Sequence, residues 1–362
     1  MPSPFRLLHP SFALLLAAAL TGCGSDGGAG PDTDPATLAI TVSGYPAGRE
    51  PALTVTGPDG YSHDLTSSGQ LTDLTPGQYT VTADDVLDVG LAYVPSAAST
   101  PVTLAAGQHG SVTVTYALHA PLPRSTTNRS DGGATDLYRV MYVLPSDGTD
   151  RHLDTDGTIT RTVSSWERWL VTQTGGAWLR LDTSDGALDI TFARLDRSDA
   201  TMTSYGDFIR DTLEKDLRAA GYGDDHSVLL VYYDGGHQSR CGSSALPPAL
   251  PGVVAAMYLK GLGGTPIACA NNPLASTPTA APGYMEFAAL HEALHALGIV
   301  SAAAPDFNNY HVDNDPTDLM YAGAQPWHPS VLDITKSNYY NPNGLPSGVF
   351  NLDDSDFLVR VR

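Results

Sequence analysis

Between residues 36 and 118 apolar and polar side chains alternate in short runs. Leu38-Ala-Ile40-Thr-Val42, Leu53-Thr-Val55-Thr, Tyr79-Thr-Val81-Thr, Val102-Thr-Leu104 and Val112-Thr-Val114-Thr-Tyr116 each repeat every second residue, as a strand with one buried face does. Turn signals separate them at Gly57-Pro-Asp-Gly60, Thr75-Pro-Gly77 and Ala106-Gly107. Short strands at this spacing predict an antiparallel β-sandwich. Residues 119–135 are rich in Pro, Ser, Thr, Asn and Gly and read as a linker. From Leu137 the rhythm changes. Tyr138–Leu144, Trp178–Leu181, Leu188–Phe192, Val228–Tyr233 and Val253–Leu259 read as strands, while Ile159–Leu170, Phe208–Ala219 and Met285–Gly298 carry apolar residues at helical spacing. Strands interleaved with helices predict an α/β layer over 136–362, behind the all-β module of 36–118. After Gly298 the chain is irregular until a strand-like tail, Phe357-Leu-Val-Arg-Val361.

The front of the chain has another character. Residues 1–22 carry one cation, Arg6, then an apolar run from Phe12 to Leu20, the layout of a secretory signal peptide. The run is too short to cross a hydrocarbon core of about 30 Å. It ends in Leu20-Thr-Gly-Cys23, which resembles the lipobox of bacterial lipoproteins. The resemblance implies cleavage before Cys23, lipid on its thiol, and an exported protein held to the cell envelope, facing periplasm or outside, by that lipid alone. Residues 23–35, rich in Gly, Asp and Pro, read as a flexible tether. Beyond Cys23 the cysteines are Cys241 and Cys269, and export predicts that they form one disulfide. The 362 residues carry 19 Lys and Arg against 39 Asp and Glu, a net charge of −20. That balance excludes a general affinity for nucleic acid or anionic membrane.

Leu74-Thr-Pro-Gly-Gln-Tyr-Thr-Val81 resembles the prealbumin-like or Ig-like modules attached to many secreted bacterial proteins. The module has no cluster of titratable residues, so it reads as a spacer or binding module.

The chemistry gathers in Leu290-His291-Glu292-Ala-Leu-His295-Ala-Leu-Gly298. His291 and His295 stand four apart and project from one helix face, which suits a divalent transition metal, zinc most commonly. Glu292 lies one residue round, beside the metal without ligating it, where it can serve as general base. The flanks are apolar, so the helix is expected to be buried. A catalytic zinc needs a third ligand. No Glu follows Glu292, which leaves His311, His328 and the aspartates 306, 313, 315, 318 and 333.

This run, followed by His311 and by Asp318-Leu-Met320-Tyr321, resembles the metzincin-type zinc metallopeptidases. The resemblance implies that Gly298 ends the helix in a sharp turn, that His311 is the third ligand, and that Met320 lies in the Met-turn beneath the zinc. It implies a zincin-type catalytic domain. The usual position of the third ligand is occupied by Ser301, and His311 comes ten residues later. Aspartate ligation by Asp318 or Asp313, as in aspzincins, is the competing case. Otherwise Asp313, Asp315 and Asp318 read as turn residues or as partners of a ligand His. Asp154-Thr-Asp156-Gly157 resembles half of a calcium loop, but no complete calcium motif is present, and a turn leading into a helix is the better reading. Tyr321, Tyr339 and Tyr340 are aromatic donors late in the region, read as packing residues. Val253–Leu259 is read as the edge strand on which an extended peptide pairs, with Cys241 and Cys269 stapling its loops.

The expected function is a zinc endopeptidase that hydrolyses peptide bonds by zinc-activated water, with Glu292 as general base and a peptide or protein as substrate. The alternatives are a surface-binding lipoprotein with an inactive zincin-like domain, and a zinc amidase acting on cell-wall peptides.

Overall fold

The computed structural model describes residues 34–129, 136–224, 226–261, 269, 272–323 and 326–360. The leader, Cys23 and all but the last two residues of the tether lie outside the described residues. No helix among the described residues is long and apolar enough to cross a membrane.

The first unit is all-β. Its strands are β1 (Ala36–Ser43), β2 (Leu53–Thr56), β3 (Ser62–Leu65), β4 (Gly69–Leu74), β5 (Gly77–Ala83), β6 (Val86–Asp88), β7 (Leu91–Pro95), β8 (Ser99–Leu104) and β9 (His109–Leu118). They form two sheets, ordered β4-β1-β9-β7-β6 and β3-β2-β5-β8. The alternating residues Leu38, Ile40, Leu53, Val55, Tyr79, Val81, Val112 and Val114 bury together between the sheets. One pairing departs from the antiparallel expectation: β1 and β9 run parallel, from Thr37 opposite His109 to Ser43 opposite Thr115.

The second unit follows as β10 (Leu137–Leu144), α1 (Thr158–Thr174), β11 (Ala177–Leu179), β12 (Thr183–Ser184), β13 (Ala187–Leu188), β14 (Ile190–Arg194), α2 (Asp199–Thr203), α3 (Ile209–Ala219), β15 (Ser227–Tyr233), β16 (Gly242–Leu246), β17 (Leu250–Tyr258), α4 (Tyr284–Ala296), β18 (Phe307–Asn308), β19 (His311–Val312) and β20 (Leu358–Arg360). Its main sheet is ordered β14-β10-β15-β17-β16. The first four strands are parallel and β16 runs antiparallel to β17. Every residue of β15 is buried, as a central parallel strand covered on both faces requires. Tyr138, Val140, Leu230 and Met257 on one face pack with Ile159, Val163 and Trp166 of α1 and Leu290 and Leu294 of α4. Met141, Val231 and Val254 on the other face pack with Ile209, Leu213 and Leu217 of α3. The result is an α/β layer with helices on both sides.

This topology corrects the edge assignment. Val253–Tyr258 lie in β17, hydrogen-bonded to β15 on one side and β16 on the other, and Leu259 follows it directly. Among the described residues the edge strand on that side is β16, with β14 at the opposite edge. The tail residues of β20 pair with β11 outside the main sheet.

The expected linker is also tied down over its described part. Arg124 pairs with Asp150 and Asp154, the Arg129 backbone N–H donates to Asp189 at 2.6 Å, and Phe192 N–H donates to the Ser125 carbonyl at 2.8 Å. Asp154 is thereby engaged by Arg124, and Asp156 accepts from Thr158 N–H at 2.8 Å two residues on, so this segment is a turn leading into a helix. The two units are packed together. Val89 and Leu91, from the sandwich, bury in the core of the second unit. Buried Asp88 pairs with Arg49 of its own unit at 2.9 Å and with Arg168 of α1.

Removal of that carboxylate strands two guanidiniums at the junction. Asp88→Ala should lower stability by about 1–3 kcal/mol. Urea unfolding with an unshifted midpoint would show that the clamp contributes nothing.

Candidate metal centre

The site is assembled on α4. Glu286, in its first turn, reaches back to accept from Gly283 N–H at 3.1 Å and also from Ala275 N–H at 2.8 Å. Met285, Phe287, Ala289, Leu290, Ala293 and Leu294 are all buried, so the helix is wrapped by core. His291 and His295 are 8% and 2% exposed, their rings 4.5 Å apart.

The end of the helix positions the second histidine. Ile299 N–H reaches the Leu294 carbonyl at 3.4 Å and Gly298 N–H the His295 carbonyl at 2.9 Å, the two bonds of a Schellman cap. Gly298 takes a φ of +86°, and a Cβ there would meet the Pro247 carbonyl oxygen at 2.9 Å. The turn brings the Ile299 carbonyl back to accept from His295 Nδ1 at 2.7 Å.

His311 arrives on a separate device. Strands β18 and β19 form a hairpin in which Asn308 faces His311. Its two turn residues, Asn309 and Tyr310, both have positive φ, 50° and 66°, as a two-residue hairpin turn of the I′ kind requires. The Asn309 carbonyl accepts from His311 Nδ1 at 2.9 Å. This hairpin occupies the displaced spacing between Ser301 and His311.

A third loop orients His291. Buried Asp318 accepts from Met320 N–H at 2.9 Å, Tyr339 Oη at 2.6 Å and Ile334 N–H at 3.0 Å, which fixes the Asp318–Tyr321 turn. The Leu319 carbonyl of that turn accepts from His291 Nδ1 at 2.8 Å. Met320, fully buried, follows immediately. Burial pushes the Asp318 carboxyl up to about 7, against the pull of its three donors.

A carbonyl only accepts, so each Nδ1 carries the ring proton and each Nε2 presents a lone pair. Burial holds the rings neutral: His291 is lowered to about 3, His295 is held well below the usual imidazole range, and His311 is lowered too. His295 Nε2 lies 3.0 Å from His291 Nε2 and 3.0 Å from His311 Nε2. Three lone pairs facing one another at that range repel, unless a cation stands among them. The donor set, three neutral imidazoles in a buried pocket, fits a zinc-class divalent ion.

The aspartate alternatives lie elsewhere. Asp313 is exposed and accepts from Asn308 Nδ2 at 3.2 Å. Asp318 uses both carboxylate oxygens in its turn. Asp306 holds Asn314 and Asn338, Asp315 holds Thr317, and Asp333 accepts three consecutive backbone N–H groups, from Asn338, Tyr339 and Tyr340. His328 is exposed, its Nδ1 on the Pro326 carbonyl. Among the described residues the histidines 291, 295 and 311 form the metal-ligating cluster. Tyr339 and Tyr340 bury their hydroxyls on Asp318 and the Thr174 carbonyl, whereas Tyr321 lines the cleft.

That cleft holds about 500 Å³ in front of His291, Glu292 and His311. A second depression of about 320 Å³ shares Arg240, Gly242, Glu292 and His311 with it and is also lined by His295 and by Ser243 of edge strand β16. Glu292 keeps part of its surface open there, and Gly242 presses on it so closely that a Cβ would fall 2.5 Å from Glu292 Cγ. Burial pushes its carboxyl up to about 8, and Arg240 pulls the other way. Arg240, Tyr284 and Trp327 are wall residues that periodicity and motif spacing did not single out. Trp327 stacks edge-on to Tyr284 and His291, and its Nε1 donates to the Asp318 carbonyl at 3.1 Å. The Cys241–Cys269 disulfide is formed, immediately before β16.

No described protein family matches the chain, and no curated protein matches it. Among solved structures it is similar to the minor pilin GBS52 of Streptococcus agalactiae, at 13% identity and a TM-score of 0.21, over 26% of this chain and 49% of the pilin. It is also similar to the Bacillus anthracis TIE protein, at 17% identity and a TM-score of 0.18, over 27% of this chain and 20% of that one. The chain thus spans about half of the pilin and a fifth of the TIE protein. At these scores neither likeness bears on the site.

Gly298→Ala should strain the cap by about 1–3 kcal/mol. If His295 serves as a zinc ligand, the same change should weaken zinc binding about 10–100-fold by moving the Ile299 carbonyl away from it. A zinc titration with unchanged affinity would show that the cap does not orient the ligand.

Proposed function

We propose that this chain is a zinc-dependent endopeptidase of the metzincin type. The observation that carries the reading is the convergence of three proton-free Nε2 atoms, two of them 3.0 Å from the third, with the Glu292 carboxylate beside them in an open cleft. His291, His295 and His311 would hold the ion. Zinc, when bound, supplies Lewis acidity that acidifies water and polarises a peptide carbonyl.

The chain's own residues do the rest. Glu292 takes the proton from the attacking water as the new C–O bond forms, and returns it to the amine nitrogen as the C–N bond breaks. Its place one residue round from His291 would keep it beside a bound ion without competing as a ligand. Gly242 leaves room for that carboxylate. Strand β16 is the edge of the main sheet among the described residues and runs beside the cleft, so an extended peptide can add to the sheet and lay its scissile bond across Glu292. Met320 and the Asp318 turn hold the Leu319 carbonyl under His291. The retained Glu292 supports catalysis over a purely binding role. The leader pattern ending at Cys23, together with a formed disulfide, supports export to an oxidising compartment with a lipid anchor.

Metal analysis and digestion of a mixed peptide library test this reading. Wild type should bind one zinc and cleave. Glu292→Gln should keep its zinc and lose about 10²–10⁴-fold in rate. His311→Ala should lose both, while Asp313→Ala should keep both. A zinc-free wild type, or a Glu292→Gln variant of full activity, would reject the proposal.

A further inference from the structure

We infer that Arg240 makes the cleft selective for peptides that carry a carboxylate next to the scissile bond, an inference that rests on the peptidase reading. In a chain of net charge −20, a cation at the cleft is against the trend. Among the described residues lining the main cleft, Arg240 is the side chain with a permanent positive charge; its neighbours there include Ser239, Tyr284, Tyr321 and Trp327. It also lines the second depression, so it stands where the two meet, beside Glu292 and His311.

The guanidinium is available. Its ion pair with Asp207 is a single contact at 3.4 Å between side chains 53% and 64% exposed. Water screens such a pair, and it contributes little. The planar fork of Arg suits two parallel bonds to an incoming carboxylate better than that one long contact. The backbone beneath it is fixed. Ser239 N–H and Arg240 N–H both donate to Nδ1 of His237, at 3.0 and 3.1 Å. His237 is 1% exposed and packs on the Tyr258 ring with centroids 4.7 Å apart. On the other side Cys241 is bonded to Cys269, and its carbonyl accepts from Tyr258 N–H at 2.8 Å. A charge mounted on an ordered loop selects its partner with less ordering cost than one on a free loop.

The carboxylate has two sources, an Asp or Glu side chain and a peptide C-terminus. Matched synthetic peptides separate them: internal Glu against Gln, and C-terminal acid against amide. For the zinc-loaded wild type, kcat/KM for the acid member of one pair should exceed its neutral partner by about tenfold or more. The pair that shows the ratio identifies the source. Arg240→Gln should bring the ratio near one, Arg240→Lys should keep part of it, and Arg240→Glu should invert it. Zinc content and urea midpoint check that each variant is folded. A wild-type ratio near one for both pairs, or a ratio unchanged in Arg240→Gln, overturns the inference. If wild type cleaves no peptide, the peptidase reading has failed by itself. Binding of the same peptides, fluorescently labelled, to Glu292→Gln then decides about Arg240: acid-selective binding that vanishes on adding Arg240→Gln supports its role, and equal binding of acid and neutral peptides overturns it.

Discussion

Three backbone carbonyls, those of Ile299, Asn309 and Leu319, govern the candidate site. Each accepts the Nδ1 proton of one histidine, at 2.7, 2.9 and 2.8 Å. They thereby fix three tautomers and three ring planes at once, and leave three Nε2 lone pairs converging on a common point. Ligand histidines are usually oriented in this way by partners behind them. The three carbonyls come from three separate loops after α4: the Schellman cap at Gly298, the β18–β19 hairpin, and the Asp318 turn. Each loop is set by its own local chemistry, which explains why this irregular part of the chain is well packed without being regular.

The rest of the molecule holds that geometry still. Helix α4 is pressed onto β17 and β16 by side chains buried on every side, and Tyr138 of central strand β10 donates its hydroxyl to the Ala293 carbonyl at 2.9 Å. Edge strand β16 passes beside Glu292, with the disulfide at its entrance. The β-sandwich is coupled to this unit through Val89, Leu91 and the Asp88 clamp, so it is no loose appendage.

Much of this was legible from residue order alone, and the gaps have physical causes. The long strands of the sandwich showed because each buries one face. Strand β3 did not, because all its side chains are exposed or nearly so, and β4 did not, because a bulge opposite Ala36 and Leu38 breaks its alternation. Strand β7 was hidden by burial of Leu91, Ala92 and Tyr93 in a row, where it meets the second unit. The edge of the main sheet was misread because Gly242-Ser-Ser-Ala-Leu246 has no apolar rhythm, whereas β17 is strongly apolar. In the site, His291, Glu292 and His295 followed from helical spacing. The position of His311 depends on a hairpin turn with two residues at positive φ, which composition signals weakly when one of them is Tyr310. The orienting carbonyls belong to no residue type, and Arg240 gains its place from a buried histidine and a disulfide that lie apart from the motif.

The central claim is that His291, His295 and His311 bind one metal ion through Nε2. X-ray absorption at the zinc edge on the purified protein tests it most directly. The account predicts one zinc per chain with three imidazole nitrogens at about 2.0–2.1 Å and an oxygen in the remaining position. Zinc surrounded only by oxygen or sulfur ligands, or zinc whose imidazole signal survives unchanged in His311→Ala, would contradict it.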